Sequence, residues 1–442
     1  MFSQIARKIF QETLLRIDAR EAVRRAVQID GSRLTIIDNK FEIDLLSNTP
    51  IYVVAIGKAA YRMAVGFNEV AGKWIKGGVV SGIISKLDRS EIPLLDSRWK
   101  IFEGGHPLPN EESLAAARAC LDLLEAADSE SALVIFLISG GGSAMMELPR
   151  DPEISLSDLR SLNQVLVTSG AAITEVNSVR RAVSEVKGGG LALRARHTTQ
   201  ISLIISDTAA GDLTSVASGP SLLPAREIPG AISVIEKYKL NSLLPAAILR
   251  TLENHNSEYS KSSLDSRAYV LLDNDYMIRQ AAEIARKMGF IVEIDNSADD
   301  SFISEGCEQL LSRFVDFRKS ATPNRPVCFI SGGEFGCTVK GNGIGGRNLE
   351  TVLRLALLVH EKDLLSEYAI LSAGTDGIDG NSPAAGAVTD QTLFERAFSR
   401  QMNPLEYLET SDSFSFFNEL GDAIITGPTG TNVRDIRLLI AK

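Results

Sequence analysis

The chain has 442 residues, of which 44% are hydrophobic and 23% charged, a mixture within the globular range that excludes disorder over most of its length. Its 46 Lys and Arg against 56 Asp and Glu give a net charge of −10, the opposite of what a phosphate-backbone binder carries, so nucleic acid is not an expected partner. Cys120, Cys307, Cys328 and Cys337 form no C-x-x-C pair, and His106, His197, His255 and His360 are scattered without ligand spacing, which argues against a zinc site.

The first stretch, MFSQIARKIFQETLLRIDAREAVRRAV, mixes charged and apolar residues at helical spacing. It lacks the continuous apolar core of a secretory signal and reads as one amphipathic helix. The longest apolar run, Ala132 to Ile138, is far below the ~18 residues of a membrane span. A cytoplasmic protein without a membrane partner is expected. Further along, short β-branched runs end abruptly in Gly, Ser, Asp or Thr: IYVVAIG before Lys58, SALVIFLISGGGS ending at Ser143, ISLIISDTAAGD at Asp212, VCFISGGE at Glu334, YAILSAGTDGIDG at Gly380 and DAIITGPTGTN at Asn432. Such runs are the pattern of strands buried on both faces. Helical segments separate several of them, notably the one after Asn110 and GRNLETVLRLALLVHE, so the expected class is α/β with parallel strands. The polar segment from His255 to Arg267 is the candidate linker, and residues 269–294 read as a β-α-β unit opening a second domain. The expected division is 1–260 and 261–442.

Ligands of open α/β sheets bind beyond the carboxyl ends of the strands, where loops expose backbone N–H groups. Glycines and small polar residues recur at those ends here, which points to an anionic ligand. Lys58, after a buried strand and Gly57, can meet such an anion. The run Ser139-Gly140-Gly141-Gly142-Ser143 can wrap a phosphate in N–H groups, although no Walker A sequence occurs. Gly341 to Gly346 formally satisfies G-x-G-x-x-G, but the acid wanted ~20 residues on is missing at a strand end. Glu361 lies in a helix-ending run and Asp376 comes too late, so Arg347 is the better candidate there, as a fork gripping an oxyanion. Asp207, Asp212, Glu334, Asp376 and Asp379 all follow strand-like runs and suit Mg²⁺ or proton transfer, with Asx-turns and helix caps as the competing use. Arg180, Arg181 and Lys187 form a positive cluster that compensation of a helix dipole explains equally well.

Taken together, GKAA at 57–60, EGGHPLPNEES at 103–113, SGGGSA at 139–144, EVNSVRRAVSEVKGG at 175–189, SD at 206–207 with GD at 211–212 and ASGP at 217–220, SGGE at 331–334, GGRN at 345–348, GTDGIDG at 374–380 and GPTGTNV at 427–433 resemble the MOFRL-domain glycerate 2-kinases. The resemblance implies a Rossmann-like parallel-sheet N-terminal domain and a MOFRL-type α/β C-terminal domain around a cleft. It also implies ATP with Mg²⁺ and phosphorylation of D-glycerate, usually to 2-phosphoglycerate. The family's catalytic pair falls on Lys58 and Arg347. By the same resemblance, Gly57, Ser139, Gly140, Gly141, Gly142, Ser143, Asn177, Arg180, Lys187, Asp207, Asp212, Ser331, Gly332, Gly333, Glu334, Gly346, Asn348, Thr375 and Asp376 would contact substrate or nucleotide, with Asp207 and Asp376 as Mg²⁺ ligands. The chain departs from the family pattern at Ala182, Gly190, Leu213, Leu349 and Pro383, all read as ligand-facing positions. An NAD(P)H-dependent hydroxypyruvate reductase and a non-catalytic phosphometabolite-binding homologue are the alternatives. The product, 2- or 3-phosphoglycerate, and a homodimer are left open.

Overall fold

The computed structural model describes residues 1–442 apart from 38–39, 46–48, 86–93, 209–211, 225–229 and 255–263. Most of the candidate linker lies outside the described residues. The chain divides into two units, one of Ala19–Leu271 and one combining Met1–Asp18 with Leu272–Lys442. The N-terminal stretch is therefore two helices, Phe2–Arg16 and Ala19–Ala26, rather than one. Each has its own buried face, Ala6, Ile9 and Phe10 on the first and Ala19, Ala22 and Val23 on the second, so the two halves serve different cores. The first helix is anchored within its unit by Arg7, which donates to the carbonyls of Gly421, Asp422 and Ala423.

In the unit of residues 19–271, strands β1 (Val27–Asp30), β2 (Arg33–Ile36) and β3 (Phe41–Asp44) form a small antiparallel sheet. The main sheet contains β4 (Ile51–Ile56), β5 (Ile75–Gly82), β6 (Trp99–Glu103), β7 (Leu133–Ser139), β8 (Thr199–Ile205) and β9 (Ser266–Leu272), in the order β6-β5-β4-β7-β8-β9. From β6 to β8 every pairing is parallel. Each residue of β4 and β7 is buried, because helices cover both faces. The helix Glu111–Ser129 starts where expected: Asn110 accepts the Ser113 N–H (2.8 Å) and the Ser113 hydroxyl accepts the Asn110 N–H, a reciprocal cap. Leu159, Leu162, Leu166, Val179, Ile235 and Ile248 make a separate helical core beside the sheet.

The other unit contains β10 (Ile291–Ile294), β11 (Val327–Gly333), β12 (Tyr368–Gly374), β13 (Gly386–Asp390), β14 (Ala423–Ile424) and β15 (Asp435–Ala441), ordered β10-β11-β15-β12-β13-β14. Only β10 and β11 pair in parallel; β15 runs antiparallel to both β11 and β12, and β13 antiparallel to β12 and β14. This sheet is mixed where parallel strands were expected, because a continuous apolar run looks the same in either direction. The expected β-α-β unit is also divided. Its first strand, β9, joins the parallel sheet beside β8, while its second, β10, joins the mixed sheet. The insertion of β15 has one consequence for chemistry: Asp435 stands in register with Gly333 on one side and Gly374 on the other, at the carboxyl ends of β11 and β12.

Candidate functional site

In the parallel sheet the loops after β4 and β7 cross. Gly57 has φ +116°, and a Cβ on it would sit 2.3 Å from the Ser139 carbonyl oxygen, so only glycine fits the crossing. The Lys58 N–H donates to the Gly140 carbonyl (2.9 Å) and the Ala59 N–H to the Ser139 hydroxyl (3.0 Å), which laces the two loops together. Beyond the crossing, Gly141 turns back with φ +81°; a Cβ there would lie 3.1 Å from both Lys58 Cγ and His106 Cδ2. A Cβ on Gly140 would run into the Asp207 carboxylate. The glycine tip is thus surrounded by an ammonium stem, an imidazole and a carboxylate, brought there by three different strand ends.

The next loop carries a chain of polar side chains. Ser143 and Ser218 share a hydrogen bond of 2.7 Å, Ser218 Oγ donates to Asn177 Oδ1 (2.9 Å), Asn177 Nδ2 donates to Ser215 Oγ (3.5 Å), and Ser215 donates to Asp212. Ala217, Ser218 and Gly219 all have positive φ, at 51°, 61° and 67°. Two consecutive non-glycine residues in this region are strained, and burial of the loop holds them there. Arg181 braces it by donating to the carbonyls of Thr214 (2.6 Å) and Ser218 (3.3 Å). Burial works to raise the Asp212 carboxyl, but hydrogen bonds from Ser215 and Thr214 and the charge of Arg181 hold it below its ordinary range.

The mixed sheet builds a different kind of cluster. Arg347, first residue of the helix Arg347–Glu361, donates from Nε to Asp435 Oδ2 (2.6 Å) and from Nη2 to Asp435 Oδ1 (3.1 Å), and Nη2 also pairs with Glu334 (2.8 Å). Asp435 is almost fully buried, whereas about a third of Arg347 and of Glu334 is exposed (35% and 32%). Burial disfavours the guanidinium charge, but the two carboxylates outweigh it and raise the Arg347 pKa. One turn away, Asp379 accepts the N–H groups of Asn348 (3.0 Å) and Leu349 (2.8 Å). Its burial nevertheless pushes it up to about 7, with those N–H bonds opposing the rise.

Residues 5–253 match a domain of unknown function (DUF4147), and residues 327–435 match the MOFRL family. The chain is 35% identical to the D-glycerate 2-kinase of Thermotoga maritima over 389 residues, 87% of this chain and 89% of that protein. It is 31% identical to the glycerate 2-kinase of Pyrococcus horikoshii over 450 residues, 99% and 97% of the two chains. A crystal structure of glycerate kinase from Thermotoga maritima aligns with a TM-score of 0.83 at 30% identity, covering 100% of this chain and 99% of that one. The chain belongs to the glycerate kinase family with a MOFRL domain.

Against this glycerate kinase fold the residues singled out in the sequence fall into two groups. Lys58, Gly140, Gly141, Ser143 and Asp207 gather at the glycine tip of the parallel sheet, and Glu334, Arg347 and Asp435 at the strand ends of the mixed one. Others are engaged in holding the loops. Ser139 is buried in the lacing, and a Cβ on Gly142 would meet Ala217 and Ile56. Arg180 donates to Asn163 (3.0 Å), and Lys187 is buried in an ion pair with Glu147, its pKa lowered by burial against that partner's pull. Each of the three cations near the KGG segment is engaged within the protein, and Arg180 and Lys187 both feel the charge of Glu147. In the SGGE loop, Ser331 is buried and the N–H groups of Gly332, Gly333 and Glu334 donate to Asn296 (2.8 Å), Asn274 (3.0 Å) and Asp299 (3.0 Å). Arg437, also buried, donates to the carbonyls of Gly332 (2.6 Å) and Gly333 (3.1 Å) with its guanidinium 3.6 Å from the Phe335 ring centre. Asn348 accepts from Ser372 (2.6 Å), Thr375 donates to the Arg434 carbonyl (2.7 Å), and Asp376 accepts the Ile378 N–H (3.1 Å) in a local turn.

The G-x-G-x-x-G segment does not follow a strand. A Cβ on Gly341, Gly343, Gly345 or Gly346 would meet Thr410, Asp412, Ser413 or Asp379, and the N–H groups of Gly343 and Gly345 donate to Thr410 (3.2 Å) and Asn381 (2.8 Å). These glycines serve chain packing, with no cradle left for a dinucleotide. The departures from the family pattern also prove to be packing features at several positions. Leu349 and Ala182 are buried in hydrophobic clusters, Leu213 packs against another, and a Cβ on Gly190 would come 2.0 Å from the Glu185 carbonyl. Of the five, Pro383 alone is exposed. Helix faces account for Leu349 and Ala182, and a tight turn accounts for Gly190. Sequence reasoning missed Asp435, Asn274, Asp299, Glu147 and His106 as parts of these clusters. For Asp435 the signal was Asn-Val-Arg-Asp before the last apolar run, and for Asn274 the acid-rich LLDND segment at the end of β9.

Proposed function

We propose that the protein is an ATP- and Mg²⁺-dependent kinase that phosphorylates D-glycerate, most directly to 2-phosphoglycerate. The observation that carries this reading is likeness over nearly the whole chain to proteins named glycerate 2-kinase, and the strand-end geometry agrees with it. In phosphoryl transfer the protein contributes positioning and charge neutralisation more than covalent chemistry. Lys58 supplies a positive charge at the glycine tip, where backbone N–H groups can help to hold an anion. Arg347 is fixed in orientation by Asp435, and its Nη1 makes no hydrogen bond among the described residues, so two N–H groups remain to meet a phosphoryl oxygen.

Mg²⁺ is held typically by one or two carboxylates together with substrate phosphates. The donors present fit that habit. Asp207 lies against Gly140 in the glycine loop. Asp207 is the assigned ligand; Asp376, committed to a local turn, is the weaker candidate. When bound, the ion would neutralise charge developing on the phosphate oxygens. No observation favours a hydroxypyruvate reductase, since the glycine-rich segment is packed against its own chain.

The test is ADP release from ATP and Mg²⁺ with D-glycerate, with phosphorus NMR of the product. Lys58→Ala is expected to lower turnover about 10²- to 10³-fold, as the loss of one charge-stabilising donor does, while leaving the melting temperature within a few degrees. NADH oxidation by hydroxypyruvate without ATP, or full turnover in Lys58→Ala, would overturn the reading.

A further inference from the structure

The hydroxyl chain from Asp212 to Ser143 has a direction, and that direction decides what Ser143 offers to a ligand. Asp212 is an ionised carboxylate and can only accept, so Ser215 and Thr214 both donate to it. With its single hydrogen so committed, Ser215 can only accept from Asn177. This fixes the buried Asn177 amide, with Nδ2 toward Ser215 (3.5 Å) and Oδ1 toward Ser218. The fully buried Ser218 hydroxyl donates to that Oδ1 (2.9 Å), leaving its oxygen to accept from Ser143 (2.7 Å). Ser143 therefore points its only hydroxyl hydrogen inward. Half-buried, and two residues after the glycine tip beside Lys58, it turns lone pairs alone to the outside.

An acceptor-only hydroxyl is a poor neighbour for a phosphate or carboxylate oxygen and a good one for an O–H donor. An amide does not pass protons on as a hydroxyl does, so the chain ends at Asn177 as a proton path. The donor that Ser143 serves must keep its hydrogen. We infer that Ser143 is the specificity-determining contact for the non-reacting hydroxyl of a dihydroxy acid, and that it does not bind phosphate. This rests on the glycerate kinase reading, in which phosphorylation at C2 leaves the C3 hydroxyl as that donor. A site built to hydrogen-bond a hydroxyl discriminates strongly against the analogue that lacks it.

The experiment compares D-glycerate with D-lactate, which keeps the C2 hydroxyl and lacks the C3 one, D-lactate being read as substrate or as competitive inhibitor. Ser143→Ala should lower kcat/KM for D-glycerate about ten- to a hundredfold, leave the constant for D-lactate unchanged, and leave KM for ATP unchanged. Asp212→Asn, which frees Ser215 to turn and so releases the direction of the chain, should erode the same ratio without touching substrate. Equal losses for both acids, an unchanged ratio, or a rise confined to KM for ATP would overturn the assignment. If wild-type protein does not phosphorylate D-glycerate, the kinase reading fails separately. Thermal stabilisation by the two acids then tests Ser143: a preference for D-glycerate that vanishes in Ser143→Ala upholds the contact, and its persistence or absence in both proteins overturns it.

Discussion

The strand ends of the parallel sheet and those of the mixed sheet solve the same problem with different materials. At the first, two glycine loops cross at contact distance, and the network beyond them consists mainly of neutral hydroxyls and an amide, closed by one carboxylate at its far end. At the second, an arginine is held between a buried and a half-exposed carboxylate, with a third buried acid on the same helix start. The first cluster should therefore be sensitive to size and the second to charge. That difference follows from topology: parallel neighbours bring loops side by side, whereas the antiparallel β15 places the start of one strand, with its Asp435, between the ends of two others.

The largest effect expected is one of charge. Asp379 titrates near 7 in the folded protein because it is buried, against 3.8 for an ordinary Asp. The folded state then holds a proton that the unfolded state has released over the window from about 4 to about 7. Stability from this group is complete below that window and falls as pH rises through 7, by roughly 4 kcal/mol in total. Urea denaturation at pH 5 and pH 8 should show a decline in the wild type that Asp379→Asn flattens. Parallel declines would show that Asp379 does not titrate there. The size counterpart is Gly57→Ala, which needs a positive φ and places Cβ against the Ser139 carbonyl; a loss of about 3 kcal/mol is expected. A loss below about 1 kcal/mol would mean that the crossing opens easily and the contrast between the clusters is weaker than drawn. Arg347→Met keeps the volume and removes the charge, leaving Asp435 buried without its partner. Because a third of the guanidinium is exposed, the cost should be about 2–3 kcal/mol, below that of breaking a wholly buried pair; double substitution with Asp435→Asn should restore part of it.

The two clusters were also unequally legible in the sequence. Continuous apolar runs ending in glycine and serine marked β4, β7, β8, β11 and β12 correctly, since strands buried on both faces leave no other pattern. Lys58 was found because it directly follows glycine at such an end, and Arg347 because it follows the glycines of the G-x-G-x-x-G segment. What sequence cannot display is a partner chosen by topology. Arg347 and Asp435 are 88 positions apart and meet only because β15 is inserted between β11 and β12. The same holds for Lys187 with Glu147, where a basic residue in a polar-looking helix end proved to be a buried strut. Ser139 was read as a phosphate contact for the same reason. A serine before three glycines suits both lacing and binding, and only the neighbouring loop separates the two.

Ser139 also gives the finest test of the comparison. Its hydroxyl accepts the Ala59 N–H at 3.0 Å and lies 3.4 Å from the Ile56 carbonyl, all in the buried interior. Ser139→Ala adds no volume and removes no charge, so the mixed-sheet logic predicts almost no effect. The lacing logic predicts otherwise: the Ala59 N–H loses its acceptor without gaining water, at a cost of about 1–2 kcal/mol. Amide exchange locates the damage. The Ala59 N–H should exchange faster, while the Lys58 N–H, still bonded to the Gly140 carbonyl, should change far less. Turnover should fall modestly through KM, because the backbone next to Lys58 is loosened but its ammonium is kept. If Ala59 exchange and stability both stay at wild-type values, the backbone bond from Lys58 alone holds the crossing, and the glycine at position 57 is required for shape without the hydroxyl contributing.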